Sequence, residues 1–397
     1  MSKKTFLSIL FLLTTASVVA QSEKFEYRFS IDVENTMEKD TVPWKYQMGA
    51  NEFSFIGNYQ KTRETWDKNG VGIPKITEED SLFFVEFTPI NARDYIIERS
   101  KKEQIIIINE AHTYPNHRTF THSLLQGLYD NGYRYLGLEA LFDRTDSLIN
   151  ERKYPIIESG YYIKESEFGN LIYAALTIGF TLFGYDYFEQ GGKEREIAQA
   201  RNIVNFIEQN PHGKVLIHCG HDHVNKGTPR ISSWEKAMAG RLKEYTQINP
   251  FAIDQTRFAE KSEKKYNHPY IAMANREFPV VLIDENGNLF NGRRGNDQVD
   301  VMIIHPETKY INNRPNWLLS VGNRQEYRIE NSKITQYPLL VLAYRENEFE
   351  NNGVPADIIE ILEKENTPSL ILGKGNYDII MKDRNYNIIN RYEIIIE

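Results

Sequence analysis

Residues 104–115 read QIIIINEAHTYP, and this stretch decides the fold. Gln104–Ile108 (QIIII) is apolar without alternation, so both of its faces must be covered, as in a parallel sheet. Asn109–Pro115 (NEAHTYP) then reads as a loop. From Asn116 to Asp130 the apolar residues Phe120, Leu124 and Leu128 recur at helical spacing, and Asn131-Gly132 ends the helix.

The same alternation continues downstream. Tyr133–Leu138 is a second strand ending at Glu139, and 167–178 a helix with Phe168, Leu171, Ile172, Ala175 and Ile178 on one face. Phe180–Tyr185 is a third strand ending at Asp186. Glu194–Gln209 is a helix with Ile197, Ala200, Ile203, Val204 and Ile207 inward. Lys214–Ile217 is a fourth strand ending at His218. Strands alternating with helices predict an α/β fold, a mostly parallel sheet with helices on both faces. Ligands of such sheets bind outside the carboxyl ends of the strands. Each of the four strands delivers reactive side chains there: Glu110 with His112, then Glu139, then Asp186, then His218-Cys219-Gly220-His221-Asp222-His223.

The flanking regions differ. Residues 22–80 are polar and aromatic-rich, with Pro43, Trp44, Trp66 and Asn69-Gly70 marking irregular structure. Val280–Asp284 and Leu289-Phe290 enclose a hairpin turn, and Val299–Ile304 is a further strand. From about 335 the pattern is β: Pro338–Tyr344, Ser369–Leu372, Tyr377–Met381 and Ile388–Ile396, interrupted by a helix-like Ala356–Glu363. The expected organisation is an α/β domain over 21–330 with its core at 100–250, and a small β-sandwich-like domain over 335–397.

Residues 1–20 carry Lys3 and Lys4, an apolar run from Phe6 to Leu13, and Val18 and Ala20 before a cleavage point at Gln21. That is the form of a secretory signal peptide, too short to span a bilayer. No later run is long enough to be a transmembrane helix. The chain is therefore expected outside the cytoplasm, in the periplasm or the medium. Its net charge of −8 argues against a nucleic-acid partner. The single cysteine, Cys219, permits no intramolecular disulfide, so a core drawn from 41% hydrophobic residues must supply stability.

The strand-end residues suit catalysis or ligation. Glu110 and His112 can converge on one water, substrate or ion, the carboxylate orienting an imidazole that takes a proton. Glu139 lies between Leu138 and Ala140-Leu141-Phe142, where an acid is seldom buried unless paired. His221 and His223 share a face, and Gly220 allows the turn that brings them over the sheet. Arg118, in the first turn of the helix after His112, can bind a substrate anion or hold Glu139. His117, His122 and Arg195 fit a solvated surface. Cys219 fits packing better than nucleophilic work. His305-Pro306 and Arg314-Pro315 fit ordinary loops but could close over the site.

These residues resemble a superfamily that groups erythromycin esterases, the haem-binding ChaN proteins, and the TraB and Tiki proteins. Asn109-Glu110-Ala111-His112 is similar to the Gly-Glu-x-His of ChaN-like members, with Asn109 in place of glycine. Gly220-His221-Asp222-His223 is similar to the second Gly-x-x-His of Tiki-type metalloproteases. Leu138-Glu139 and the 218–224 segment resemble motifs of the esterases, in which an arginine follows the first histidine, as Arg118 does here. The resemblance spans roughly 100–250 and is nearest the esterase branch.

It implies a hydrolase of esters or amides acting on a small-molecule or peptide substrate. Glu110, His112, Arg118, Glu139 and His218 would be its catalytic residues. A metal-assisted form would bind one divalent ion through His112, Glu139, His221 and His223. The alternatives are a haem- or metal-binding protein of the ChaN type and a non-catalytic interaction protein.

Overall fold

The computed structural model describes residues 26–142, 145–227, 231–292, 298–365 and 367–397. The expected leader at 1–20 lies outside the described residues.

Four helices come first: α1 (Ser30–Lys39), α2 (Lys45–Phe55), α3 (Tyr59–Asp67) and α4 (Glu78–Val85). This corrects the irregular reading of 22–80. Pro43-Trp44 and Asn69-Gly70 sit just outside α2 and α3 and punctuate helix ends. Within α2 the buried set includes Gly49, Ala50, Asn51 and Ser54, small residues that carry no apolar stripe in sequence. Tertiary contact supplies what periodicity lacks. Phe29, Val33, Phe53 and Phe55 share a core with Leu340, Leu342 and Ile358 of the C-terminal strands.

A short strand β1 (Thr88–Asn91) and α5 (Ala92–Ser100) lead into the parallel sheet. Its alternating part comprises β2 (Ile105–Glu110), α6 (Pro115–Asp130), β3 (Tyr133–Leu138), the single turn α7 (Ile149–Arg152), α8 (Ser166–Ile178), β4 (Thr181–Gly184), α9 (Gly192–Gln209) and β5 (Lys214–Gly220). α10 (Met238–Thr246), β6 (Phe251–Asp254), α11 (Pro269–Ala274), β7 (Val280–Ile283) and β8 (Val301–Met302) follow. Six strands pair in the order β4-β3-β5-β2-β6-β8, and every pairing is parallel. β5 therefore enters between β2 and β3, which the chain had laid down two places apart.

Both faces are covered, and side-chain alternation shows it. Ile106, Ile108, Leu136, Leu138 and Leu216 pack with Leu124, Leu128 and Ile172 from α6 and α8. Ile105, Ile107, Val215, Ile217 and Cys219 pack with Ala200, Ile203 and Leu242 from α9 and α10. The period of two assigns each residue to a face. Glu110 and His218 continue the α6/α8 set, and Asn109 and Cys219 the other. β2 and β5 run two and three residues further than the apolar pattern alone indicates. Their polar ends are held by pairing, Glu110 opposite Gly220.

The 280–290 hairpin closes through Asp284 N–H donating to Asn288 O at 3.0 Å. Of Val299–Ile304, only Val301–Met302 is regular strand, and it extends the parallel sheet beside β6. β9 (Tyr310–Ile311), β10 (Arg314–Pro315) and β11 (Gln325–Tyr327) precede an antiparallel sheet of β12 (Leu339–Arg345), β13 (Asp357–Ile361), β15 (Gly375–Lys382) and β16 (Ile388–Ile396). β14 (Leu370–Leu372) pairs with β11. The helix-like Ala356–Glu363 is strand β13. Ile358 faces the N-terminal helices, while Ile359 and Ile361 face Leu370 and Leu372 on the opposite side. Such two-sided burial suits a strand. Among the described residues no helix is long and apolar enough to cross a membrane.

Candidate active site

A cavity of about 640 Å³ opens at the carboxyl ends of β2, β3, β4 and β5. Glu110, His112, Glu139, His218, His221 and His223 all line it, together with Asp186 and Arg195. Gly220, the last residue of β5, sets the spacing. A Cβ there would lie 2.5 Å from His112 Cε1, 2.8 Å from His112 Nε2 and 3.4 Å from Glu139 Oε2. Only glycine lets the imidazole and the carboxylate meet across the strand end, inside the roughly 7 Å over which they can share a water.

The first wall is built on β2 and α6. Glu110 Oε1 is 2.9 Å from His112 Nδ1. This carboxylate fixes Nδ1 as the protonated nitrogen and leaves Nε2, beside Gly220, as the acceptor. Tyr162 stacks on the ring with centroids 3.9 Å apart, and His221 meets it edge-on at 5.1 Å. Behind them Arg118 is fully buried. Its Nε and Nη2 both donate to the Glu110 carboxylate. Nη2 also reaches His112 O at 2.9 Å, and Nη1 donates to Glu165 Oε2 at 2.9 Å. Arg118 thus lies neither at the cavity wall nor on Glu139, the two places expected for it. It stands behind Glu110. Burial alone would raise the Glu110 carboxyl, but the Arg118 charge and the bonds from His112 and Arg118 hold it well below its ordinary range.

The second wall is built on β3, α9 and the turn after β5. Glu139 Oε2 accepts from Gly220 N–H at 2.6 Å, and Oε1 from Arg195 Nη2 at 2.7 Å. Arg195 is anchored on Asp186, through Nε to Oδ1 at 2.8 Å and Nη2 to Oδ2 at 2.6 Å. His223 Nε2 lies 3.4 Å from Glu139 Oε1. Its Nδ1 is 3.0 Å from Glu196 Oε2, and Trp234 stacks on the ring at 4.7 Å. Burial disfavours charge on this imidazole, but Glu139 and Glu196 outweigh burial and raise its pKa. Burial likewise raises the Glu139 carboxyl, and His223, Arg195, His112 and the Gly220 N–H bring it below its ordinary value.

Arg195 was expected on a solvated surface, and Glu196 was not singled out. Both lie in the first turns of α9, which starts beside the end of β4. A helix that starts at the carboxyl edge directs its early residues at the site, and that position was the available signal.

Two other histidines line the cavity. His218 is buried against Phe168, edge to face at 5.5 Å, and its Nε2 has no partner among the described residues. Burial pushes it down to about 4, so the ring is neutral near pH 7. His221 has φ 40°, a left-handed backbone that a β-substituted residue adopts only when held. Asn109 holds it. Asn109 Nδ2 donates to His221 O and to Asp254 Oδ1, each at 2.8 Å, while Gln255 N–H donates to Asn109 Oδ1 at 2.7 Å. The asparagine that replaces the resembled family's glycine ties the ends of β2, β5 and β6 together. Burial and the neighbouring His112 push His221 down to about 4.

The metal set His112, Glu139, His221 and His223 does not fit an ion. Both oxygens of Glu139 already face donors, one a guanidinium that would repel a cation, and His223 lies between two carboxylates. Among the described residues no three His, Cys, Asp or Glu side chains are grouped to hold a metal. Cys219 packs in the α9-side core, and burial pushes its thiol well up.

Away from the cavity, His117 is buried, not at the surface, and its Nδ1 accepts from Ala111 N–H at 3.1 Å. His122 lies in a separate cavity near the C-terminal strands. His305 Nε2 pairs with Gln255 Oε1 at 3.0 Å, and Arg314 pairs with Asp357, so neither 305–306 nor 314–315 closes over the site.

No family model matches this chain, and no curated protein matches its sequence. Solved structures give partial likenesses. ChaN of Campylobacter jejuni, described for cofacial heme binding, is 10% identical, with 56% of this chain and 97% of that one covered at a TM-score of 0.33. RRSP, a MARTX toxin effector domain from Vibrio vulnificus CMCP6, is 15% identical over 59% of this chain and 51% of that one, TM-score 0.30. The C-terminal region of Pasteurella multocida toxin, described as carrying a thiol-protease like catalytic triad, is 10% identical over 56% and 33%, TM-score 0.32. This chain spans about half or less of the length of the two toxin structures.

Proposed function

We propose that this chain is an exported hydrolase that cleaves an ester or amide of a small-molecule or peptide substrate with water activated by His112. The observation that carries the reading is the line Arg118–Glu110–His112, which ends in an Nε2 over Gly220 that makes no hydrogen bond among the described residues. Glu110 holds the imidazole in one tautomer, as the buried acid does in a serine-protease triad. Among the described residues the one thiol of the cavity, Cys219, packs into the α9-side core and is held protonated by burial, which favours water as the nucleophile.

His112 Nε2 takes a proton from that water as its oxygen bonds to the carbonyl carbon. Arg195 Nη1, which makes no hydrogen bond among the described residues, stabilises the negative charge that develops on the carbonyl oxygen. The imidazolium then returns its proton to the departing alcohol or amine, and the carbon–heteroatom bond breaks. Glu139 keeps Arg195 and His223 in place. His218, neutral and unpartnered at Nε2, can accept a hydrogen bond from the water or donate one to substrate, according to its tautomer. The resemblance to the erythromycin esterase branch supports Glu110, His112, Glu139 and His218; it places Arg118 where the mechanism uses Arg195, and it names no substrate.

Purified protein should hydrolyse members of a panel of nitrophenyl esters and peptide anilides, with activity unchanged after exhaustive chelation. His112→Ala should lower kcat by about 10²–10⁴-fold. Undiminished turnover in that variant would overturn the assignment. A Soret band on titration with hemin, lost in His221→Ala, would instead favour the haem-binding alternative. For export, the product recovered outside the cytoplasm should begin at Gln21.

A further inference from the structure

A second cavity, of about 590 Å³, opens between α8 and the C-terminal strands, away from the first. Asn170 and Tyr173 of α8 form one side. Arg345 at the end of β12, Arg324, and the turn Gly373–Tyr377 form the other. Arg345 lies flat on Tyr173, 3.8 Å from the ring centroid, and donates to Asn170 Oδ1 at 2.5 Å. That stacking holds the guanidinium as a rigid plate on the cavity wall.

The charge of this cavity is unbalanced. Lys153 and Lys374 at its rim are exposed, and their ammonium groups make no ion pair or hydrogen bond among the described residues. Two carboxylates also line it. Glu346 Oε2 accepts from Asn376 Nδ2 at 3.0 Å. Glu348 is buried, its Oε2 3.9 Å from Arg345 Nη1 but without a hydrogen-bond partner among the described residues. Burial pushes that carboxyl up to about 7, so near neutrality it carries only part of its charge. Arg324 is neutralised by Glu167 at 2.7 Å. Two free ammonium groups and the Arg345 plate then face Glu346 and a half-charged Glu348. The excess is positive, in a concave site on a chain of net charge −8. At the bottom, His122 Nδ1 is buried without a partner, a polar atom that a ligand oxygen or hydroxyl would satisfy.

We propose that this cavity is a second binding site, for a small organic anion bearing a carboxylate or phosphate group. Lys153, Lys374 and Arg345 hold the charge, and Tyr154 and Tyr173 offer apolar surface to the rest of the molecule. The site does not depend on the hydrolase reading, and its test involves no turnover.

The full chain should be titrated by calorimetry with citrate in one arm and inorganic phosphate in the other, at constant ionic strength set by sodium chloride. Saturable binding of at least one is expected, and the arm that responds identifies the charged group. Lys153→Ala combined with Lys374→Ala should weaken it by about tenfold or more. Lys153→Arg with Lys374→Arg should largely retain it. Both lysines are exposed, so the variants should keep the parent melting temperature in buffer alone. Heat no greater than the chloride control in both arms, or equal affinity in the alanine double variant, would overturn the proposal.

Discussion

The two walls of the main cavity each contain a histidine bonded to a glutamate, yet the pairs are prepared for different work. On the β2 wall, Glu110 is neutralised from behind by Arg118, and His112 Nε2 lies over Gly220 with no hydrogen bond among the described residues. On the α9 wall, His223 is clamped between Glu196 and Glu139, and both ring nitrogens face carboxylates. A histidine–glutamate contact alone does not make a base. The two rings differ at the second nitrogen: His112 Nε2 lies against Gly220, whereas His223 Nε2 faces a second carboxylate. That setting suits His112 to be the proposed base, while His223, its pKa raised by Glu139 and Glu196, helps to hold Glu139.

The comparison breaks first if the two histidines are removed one at a time. His112→Ala should lose about 10²–10⁴-fold in kcat with little change in melting temperature, because the ring sits at the cavity edge. His223→Ala should lower stability more than His112→Ala does, because it leaves Glu139 and Glu196 buried with fewer partners. Steady-state kinetics with parallel melts checks both, and the reverse ranking would exchange the roles of the walls.

Arg118→Ala tests what stands behind the base. It strips Glu110 and Glu165 of their shared counter-ion in a fully buried position, which should cost about 3–5 kcal/mol. Urea unfolding measures it. Adding Glu165→Gln should recover part of the loss, since one stranded carboxylate is then neutral.

Gly220→Ala sharpens the contrast at their meeting point. The new methyl would press on His112 Cε1, and overpacking of this kind costs about 1–3 kcal/mol. Displacing the imidazole should lower kcat more than it raises KM. An unchanged kcat would mean that the approach of His112 to the strand end is not used.

The smallest effect expected is on pH dependence. His223 binds its proton more tightly folded than unfolded. The stability it contributes is therefore complete below the unfolded value of about 6.5 and is lost as the pH rises through the higher folded value. Wild-type stability minus that of His223→Gln should fall on going from pH 6 to pH 8. A flat difference would mean that folding leaves its proton affinity unchanged, and a rising one that folding weakens it.

Sequence pattern and tertiary contact divided the structure between them. The isoleucines at 105–108 and the helical spacing of Phe120, Leu124 and Leu128 declare their elements locally, because burial on two faces or on one stripe leaves a period in the chain. Parallel direction then sends Glu110, His112, Glu139 and the 218–223 segment to one edge, so these lining residues were legible, whereas Arg195 and Tyr162 were not. Helices α1 and α2 were not, because their burial depends on a sheet more than 250 residues further on. Strand β13 was mistaken for a helix because its two apolar faces meet different partners. The pairings inside the site were also beyond the sequence. Whether Arg118 or Arg195 meets Glu139 depends on β5 entering between β2 and β3 and on where α9 begins. Periodicity assigns a residue to a face and an edge, but strand order arises from packing among distant segments, and only that order chooses which charge faces which.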